Sequence, residues 1–99
     1  MDERTCLDIS EFIGVLANPH RVRILCFLAE GERAVGEIAV AVDLPPAHVS
    51  SHLRVLYDRG YVERRREWKY VYYSLRSAEV RRFLDMAHEI QQGARTGGA

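Results

Sequence analysis

Arg64, Arg65 and Arg66 run consecutively, Lys69 follows closely, and Trp68, Tyr70, Tyr72 and Tyr73 are interleaved with them, so the stretch ERRREWKYVYYSL holds four cations and four rings in thirteen residues. Such cations suit one chemistry above others, the neutralisation of a polyanion such as a phosphate backbone. The formal net charge of the chain is zero, but its distribution is polarised. Residues 1–43 carry four arginines against eight acids, residues 45–76 carry seven Lys/Arg against three acids, and residues 77–99 carry three of each. The basic middle third is therefore where a polyanion is expected to bind.

The remaining reactive side chains are sparse. Cys6 and Cys26 are too few for a disulfide scaffold and too far apart for a C-x-x-C site. The four histidines, His20, His48, His52 and His88, come without a nucleophile, base and orienting acid placed together, so no enzyme is expected. His48 and His52 share a helix face at i, i+4, but no H-E-x-x-H glutamate lies between them. Asp85, His88 and Glu89 share a face at i, i+3, i+4, and Cys6 from a second chain could join them in a metal site; a solvated polar face is the expected reading.

The elements that must position these groups are legible from periodicity and punctuation. Ninety-nine residues, 47% of them apolar, suffice for one domain with a single core. Residues 1–92 are expected to form it, with 93–99 as a flexible tail. No run approaches the roughly 20 apolar residues of a membrane span, and acids and Arg4 interrupt the N-terminus, so no signal peptide is expected and the location is read as cytoplasmic.

From Leu7 to Ala17 the apolar residues Ile9, Phe12, Ile13 and Leu16 follow helical spacing. Asn18-Pro19 starts a second helix that runs to Gly31, and a short third fits Ala34 to Val42. Pro46 opens a fourth from Ala47 to Arg59, closed by Gly60. Tyr61 to Arg65 and Lys69 to Leu75 then read as two strands around a turn at Arg66-Glu67-Trp68. Ser77 caps a last helix with Val80, Phe83, Leu84, Ala87 and Ile90 along one stripe. The fold class is mainly α (α+β), in the order α-α-α-α-β-β-α, a winged helix-turn-helix.

On the fourth helix, Val49, Leu53 and Leu56 must face the core. Pro46, Ala47, His48, Ser50, Ser51, His52 and Arg54 lie off that stripe, and small or hydrogen-bonding side chains suit close approach to base edges in a major groove. Arg64, Arg65, Arg66 and Lys69 on the following hairpin are placed to reach flanking phosphates. Core packing is the expected role of the tyrosines, because a two-stranded hairpin is too narrow for a base-stacking sheet.

The blocks LANPHRVRILCFLAEG and LPPAHVSSHLRVLYDRGYVERRREWKYVYYSL, with their spacing, resemble the ArsR/SmtB family of dimeric bacterial repressors over about residues 7–92. The resemblance implies a homodimer on an inverted-repeat operator in double-stranded DNA, released by a metal ion or another inducer. It also implies that the first and last helices pack across a two-fold axis, a role that fits Ile9, Phe12, Ile13, Leu16, Val80, Phe83, Leu84 and Ala87. The same stripes could instead close the chain's own core.

Several positions depart from the family pattern. Its C-x-C metal pair on the third helix is replaced by Ala34, Val35 and Gly36, none of which can ligate. At the positions of its last-helix Asp/His site stand Ser77, Glu79, Ile90 and Gly93, where only Glu79 could coordinate. No cofactor is expected, a metal ion held by some of Cys6, Glu79, Asp85, His88 and Glu89 being the alternative. Persulfide- or oxidant-responsive members resemble RILCFL but carry a second cysteine on the last helix, which this chain lacks, leaving Cys6 as the one candidate partner of Cys26. Cys26 also falls on the apolar stripe Val22, Leu25, Cys26, Ala29, so a buried, inert thiol is expected. Pro45-Pro46-Ala47 supplies no side-chain cap to the fourth helix. Trp68 stands where the family's wing carries glycine, which predicts a turn that avoids a positive φ. Beside the regulator, two alternatives stay open: a thiol-sensing repressor using Cys6 and Cys26, and a winged-helix module that binds protein.

Overall fold

The computed structural model describes residues 1–97. Its elements are α1 (Glu3–Leu16), α2 (Pro19–Leu28), β1 (Arg33–Ala34), α3 (Val35–Val42), α4 (Pro46–Asp58), β2 (Val62–Glu67), β3 (Tyr70–Leu75) and α5 (Ala78–Gly97). The winged helix-turn-helix is present, with one strand more than expected. β1 pairs antiparallel with β3 through Arg33–Tyr73 and Ala34–Tyr72, giving a three-stranded sheet of order β1-β3-β2. Two residues leave no alternation to read in a sequence, and their partner lies far along the chain.

The caps explain most boundaries. Asn18 Oδ1 accepts from the backbone N–H of His20 (2.9 Å) and Arg21 (3.3 Å), and Pro19 follows at the first helical position. α1 begins four residues before the expected start because Asp2 caps it, its Oδ1 accepting from Thr5 N–H at 2.8 Å. α2 ends at Leu28, short of Gly31. Ala34 has no side-chain acceptor, so α3 keeps half a capping box, the Glu37 carboxylate accepting from Ala34 N–H at 2.9 Å. Its other end closes on Asp43 at φ 54°, with Leu44 N–H donating to Ala39 O at 3.1 Å. The expected tail from residue 93 begins inside α5, and Gly98 and Ala99 lie outside the described residues.

The hairpin turn is tighter than expected. Arg66 and Glu67 belong to β2, and only Trp68 and Lys69 connect the strands. Trp68 takes φ 57°, contrary to the expectation that a tryptophan would avoid it. A two-residue connection needs a positive φ at its first central position to follow the strand twist, and the strand pairing enforces it.

The core lies between α2, α3, α4 and the sheet. Ile24, Leu25, Ile38, Val49, Leu53, Leu56 and Val62 are wholly buried, each contributing roughly 1.5–3 kcal/mol. Leu16, Leu28, Ala39, Val42 and Tyr73 complete it, so of the wing tyrosines only Tyr73 is a core residue. Phe12 joins the outer helices, edge-on to Tyr61 (5.2 Å) and Phe83 (4.8 Å). The two apolar stripes divide. Leu16 is buried and Phe12, Val80, Phe83 and Leu84 are half-buried against the core, whereas Ile9, Ile13 and Ala87 are exposed. No described residue of α5 is buried. No described helix is long and apolar enough to cross a membrane.

Candidate nucleic-acid interface

Val49, Leu53 and Leu56 pin α4 to the core and turn its other face outward. Pro46, Ala47, His48, Ser50, Ser51 and Arg54 are all exposed there. Pro45 gives the helix no side-chain cap, and its carbonyl accepts from His48 N–H (2.9 Å) and Val49 N–H (3.1 Å). The Ser51 hydroxyl donates to Ala47 O at 3.1 Å, and Arg54 reaches Asp58 only loosely, at 4.0 Å.

His52 differs from the rest. It is half-buried, its Nδ1 accepts from Arg21 Nε at 3.3 Å, and its ring centroid lies 5.6 Å from that of His20. Burial, then the charge of Arg21 and the neighbouring His20 and His48, hold its pKa below the usual histidine value. Arg21 and His20 sit on α2, more than thirty residues away in sequence, and nothing in the local pattern signals the pairing.

The wing cations do not act as one block. Alternation along β2 sends Arg64 and Arg66 to one face of the hairpin and Arg65 to the other. The Arg65 guanidinium donates to both Glu32 carboxylate oxygens (2.7 and 3.2 Å) and to Glu67 (2.6 Å), and lies 4.7 Å from the centre of the Tyr72 ring. Hydrogen bonds to Glu32 and Glu67 raise its pKa still further, while the same contact lowers that of Glu32. Arg65 thus spends a hydrogen bond from each of its three nitrogens on carboxylates of its own chain. Arg66 spends only Nε, on Trp68 O at 3.3 Å. Arg64 stacks 4.2 Å over the Tyr57 ring of α4, which fixes the wing beside that helix. At the tip, Lys69 Nζ lies 4.7 Å from the Trp68 ring centre and 5.5 Å from that of Tyr70, and Trp68 is 78% exposed.

The candidate sensing residues lie elsewhere. Cys26, expected to be buried, is exposed. α2 buries Ile24, Leu25 and Leu28, so the stripe read from the sequence is rotated and Cys26 faces a groove of about 640 Å³ against α5, lined also by Arg81, Leu84, Asp85 and His88. Partial burial nonetheless pushes its thiol pKa up. Cys6 is exposed on α1. Asp85 and His88 share the groove with Cys26, while Arg81 ion-pairs with Asp85 at 3.8 Å. Glu79 accepts from Arg82 at 2.9 Å, and its pKa is lowered by a hydrogen bond from its own backbone, then by Ser77 and Arg82. Among the described residues, no three His, Cys, Asp or Glu side chains of one chain, those of Asp85, His88 and Glu89 included, gather as a metal site.

Comparison with known proteins fits this geometry. The family model described as "Bacterial regulatory protein, arsR family" matches residues 18–64. The transcriptional activator HlyU of Vibrio cholerae is 36% identical over 75 residues, covering 76% of this chain and 69% of the relative. The biofilm growth-associated repressor of Agrobacterium fabrum is 32% identical over 88 residues, covering 89% and 75%. Among solved structures, Rv0081 of Mycobacterium tuberculosis superimposes with a TM-score of 0.89 at 31% identity, covering 98% of this chain and 97% of that one. A homodimeric winged helix-turn-helix DNA-binding domain from Mycobacterium bovis gives 0.81 at 33% identity, covering 94% and 88%. With relatives at this identity matched over most of their length, and with the exposed α4 and its wing in the same frame, the chain belongs to the arsR family of bacterial transcriptional regulators.

Proposed function

We propose that the chain is a homodimeric, sequence-specific DNA-binding regulator of the cytoplasm, a repressor that leaves an inverted-repeat operator when an inducer binds, and not an enzyme. The observation that carries this reading is the outward face of α4, with His48, Ser50, Ser51 and Arg54 exposed on it and the wing held alongside by Arg64 on Tyr57. In this reading α4 enters the major groove and reads base edges, while Arg64, Arg66 and Lys69 neutralise flanking phosphates. Ile9, Ile13 and Ala87, exposed in a single chain, supply the apolar surface of the two-fold interface, with Phe12 and Phe83 beside them. Neither family metal motif has its ligands in this chain, so the inducer is assigned to another class. The thiol alternative is weakened by the chain's having no cysteine on α5 to pair with Cys26, which leaves only Cys6 on α1.

The test is selection of bound duplexes from a random pool, repeated with Zn(II), Ni(II), As(III), peroxide and persulfide. A palindromic motif is expected, with affinity that falls steeply as salt rises. Loss of that motif with one additive names the inducer class. Equal, weak affinity for every duplex would overturn the reading and favour the protein-binding alternative.

A further inference from the structure

A guanidinium has donors and no acceptor, and it keeps its charge at every pH the protein meets. The imidazole nitrogen facing Arg21 Nε at 3.3 Å must therefore offer a lone pair. That nitrogen is Nδ1 of His52, so the ring is neutral and its proton sits on Nε2. Among the described residues no protein group takes Nε2, and no buried side-chain nitrogen lacks a partner, so this N–H opens to solvent on α4. Arg21 is itself held at both ends. Asn18 fixes its backbone N–H in the first turn of α2, and its Nη1 donates to Val15 O at 3.1 Å, a carbonyl left open at the C-terminus of α1.

We propose that Arg21 is a positioning residue that locks His52 in the Nε2–H tautomer, so that His52 reads its operator base as a hydrogen-bond donor, and that the Arg21–Val15 bond ties this aim to α1. The proposal rests on the DNA-binding reading and deepens it. A donor at this point selects an acceptor on the base edge, such as guanine O6 or N7, adenine N7 or thymine O4, and is refused by the amino groups of cytosine and adenine. Protonation of His52 would put a hydrogen on Nδ1 opposite the Arg21 N–H and set two cations face to face. Arg21 and His20 of α2 and His48 of α4 all oppose that state.

The first measurement is a long-range ¹H–¹⁵N correlation spectrum of the imidazoles in the free, full-length wild-type protein. The expected pattern gives His52 an unprotonated Nδ1 and a protonated Nε2 at neutral pH. A protonated Nδ1 would overturn the proposal, with no variant and no DNA involved. The second is the ratio of specific to non-specific duplex affinity for Arg21→Met, His52→Ala and the double variant. Arg21→Met is expected to mix the tautomers, raise the His52 pKa and lower the ratio by about fivefold to tenfold, the worth of one positioned hydrogen bond. In the His52→Ala background the same change is expected to cost almost nothing, because Arg21 acts through His52. Additive losses, or an unchanged tautomer in Arg21→Met, would reduce Arg21 to a structural strut and overturn the assignment. A wild type with the expected tautomer but no selective duplex would fail the DNA-binding reading itself, and with it the claim that His52 reads a base.

Discussion

Alanine at Arg65 and alanine at Arg66 are expected to behave as opposites, although the two residues are neighbours in a run of three arginines. Among the described residues, Arg66 engages only Nε, on Trp68 O, and neither terminal nitrogen of its guanidinium. Arg65 is bound by Glu32 and Glu67 through three hydrogen bonds of 2.6–3.2 Å, so its charge is already matched inside the protein. Each phosphate neutralised contributes about 0.9 to the slope of log K against log salt, and a two-fold complex makes every contact twice. Arg66→Ala should then flatten the slope by about 1.8, which at 0.15 M salt corresponds to about thirtyfold in affinity. Arg65→Ala should leave the slope within error of the wild type and act instead on the attachment of the wing to Glu32. Fluorescence anisotropy on the selected operator at four or five salt concentrations reads both slopes. Equal flattening by the two substitutions would refute the argument, because it would mean that Arg65 leaves its carboxylates to bind phosphate.

Further outcomes follow from single contacts. Asn18→Ala removes the acceptor of two backbone N–H groups and should cost about 1 kcal/mol by urea denaturation. Trp68→Gly should be more stable than Trp68→Ala by about 1 kcal/mol, since both lose the ring and only glycine accommodates φ 57° without strain; equal stabilities would show that the turn relaxes. Ile13, 52% exposed in one chain, should convert the dimer to a folded monomer when changed to Asp, read by sedimentation velocity with far-UV circular dichroism as the control. His52 binds its proton less readily folded than unfolded, so stability should fall as pH drops below about 6.5 and be regained above it, and His52→Gln should flatten that dependence in urea titrations at pH 5.5 and 7.5.

The parts of the fold that were legible from residues are those set by local chemistry. Asn18-Pro19 and Pro46 mark helix starts because their geometry and missing N–H act within one turn, and the stripe Val49, Leu53, Leu56 predicts which side of α4 is buried. Asp2 could have been read as a cap from its spacing to Thr5, and the split of Arg64 and Arg66 from Arg65 follows from strand alternation alone. What no local pattern contains is the partner of a side chain across the fold. Glu32 meets Arg65 and Arg21 meets His52 at separations of more than thirty residues, and only tertiary packing decides them. The exposure of Cys26 belongs to the same class. A stripe on a short helix fixes its apolar side to within about one residue's turn, 100°, and here that rotation carries the thiol from core to groove.

The placement of Arg21 bears on how a signal could reach DNA in this chain. The core proper is built by α2, α3, α4 and the sheet, while α1 contributes one buried residue, Leu16, and α5 none that the structure describes. The outer helices are held to the core by fewer buried residues, Leu16 and the half-buried Phe12, Val80, Phe83 and Leu84, and they also carry the unburied apolar residues Leu7, Ile9, Ile13, Met86 and Ile90. If those faces meet across a two-fold axis, a ligand that alters the axis moves α1 against α2. The Arg21 Nη1 bond to Val15 O spans that joint, and the same guanidinium holds His52. A displacement large enough to break a 3.1 Å hydrogen bond, well under the rise of one helical residue, would release the ring while leaving Val49, Leu53 and Leu56 packed. Induction in this chain would then loosen base readout before it disturbed the fold, and it would need no metal ligand on α3 or α5 to do so.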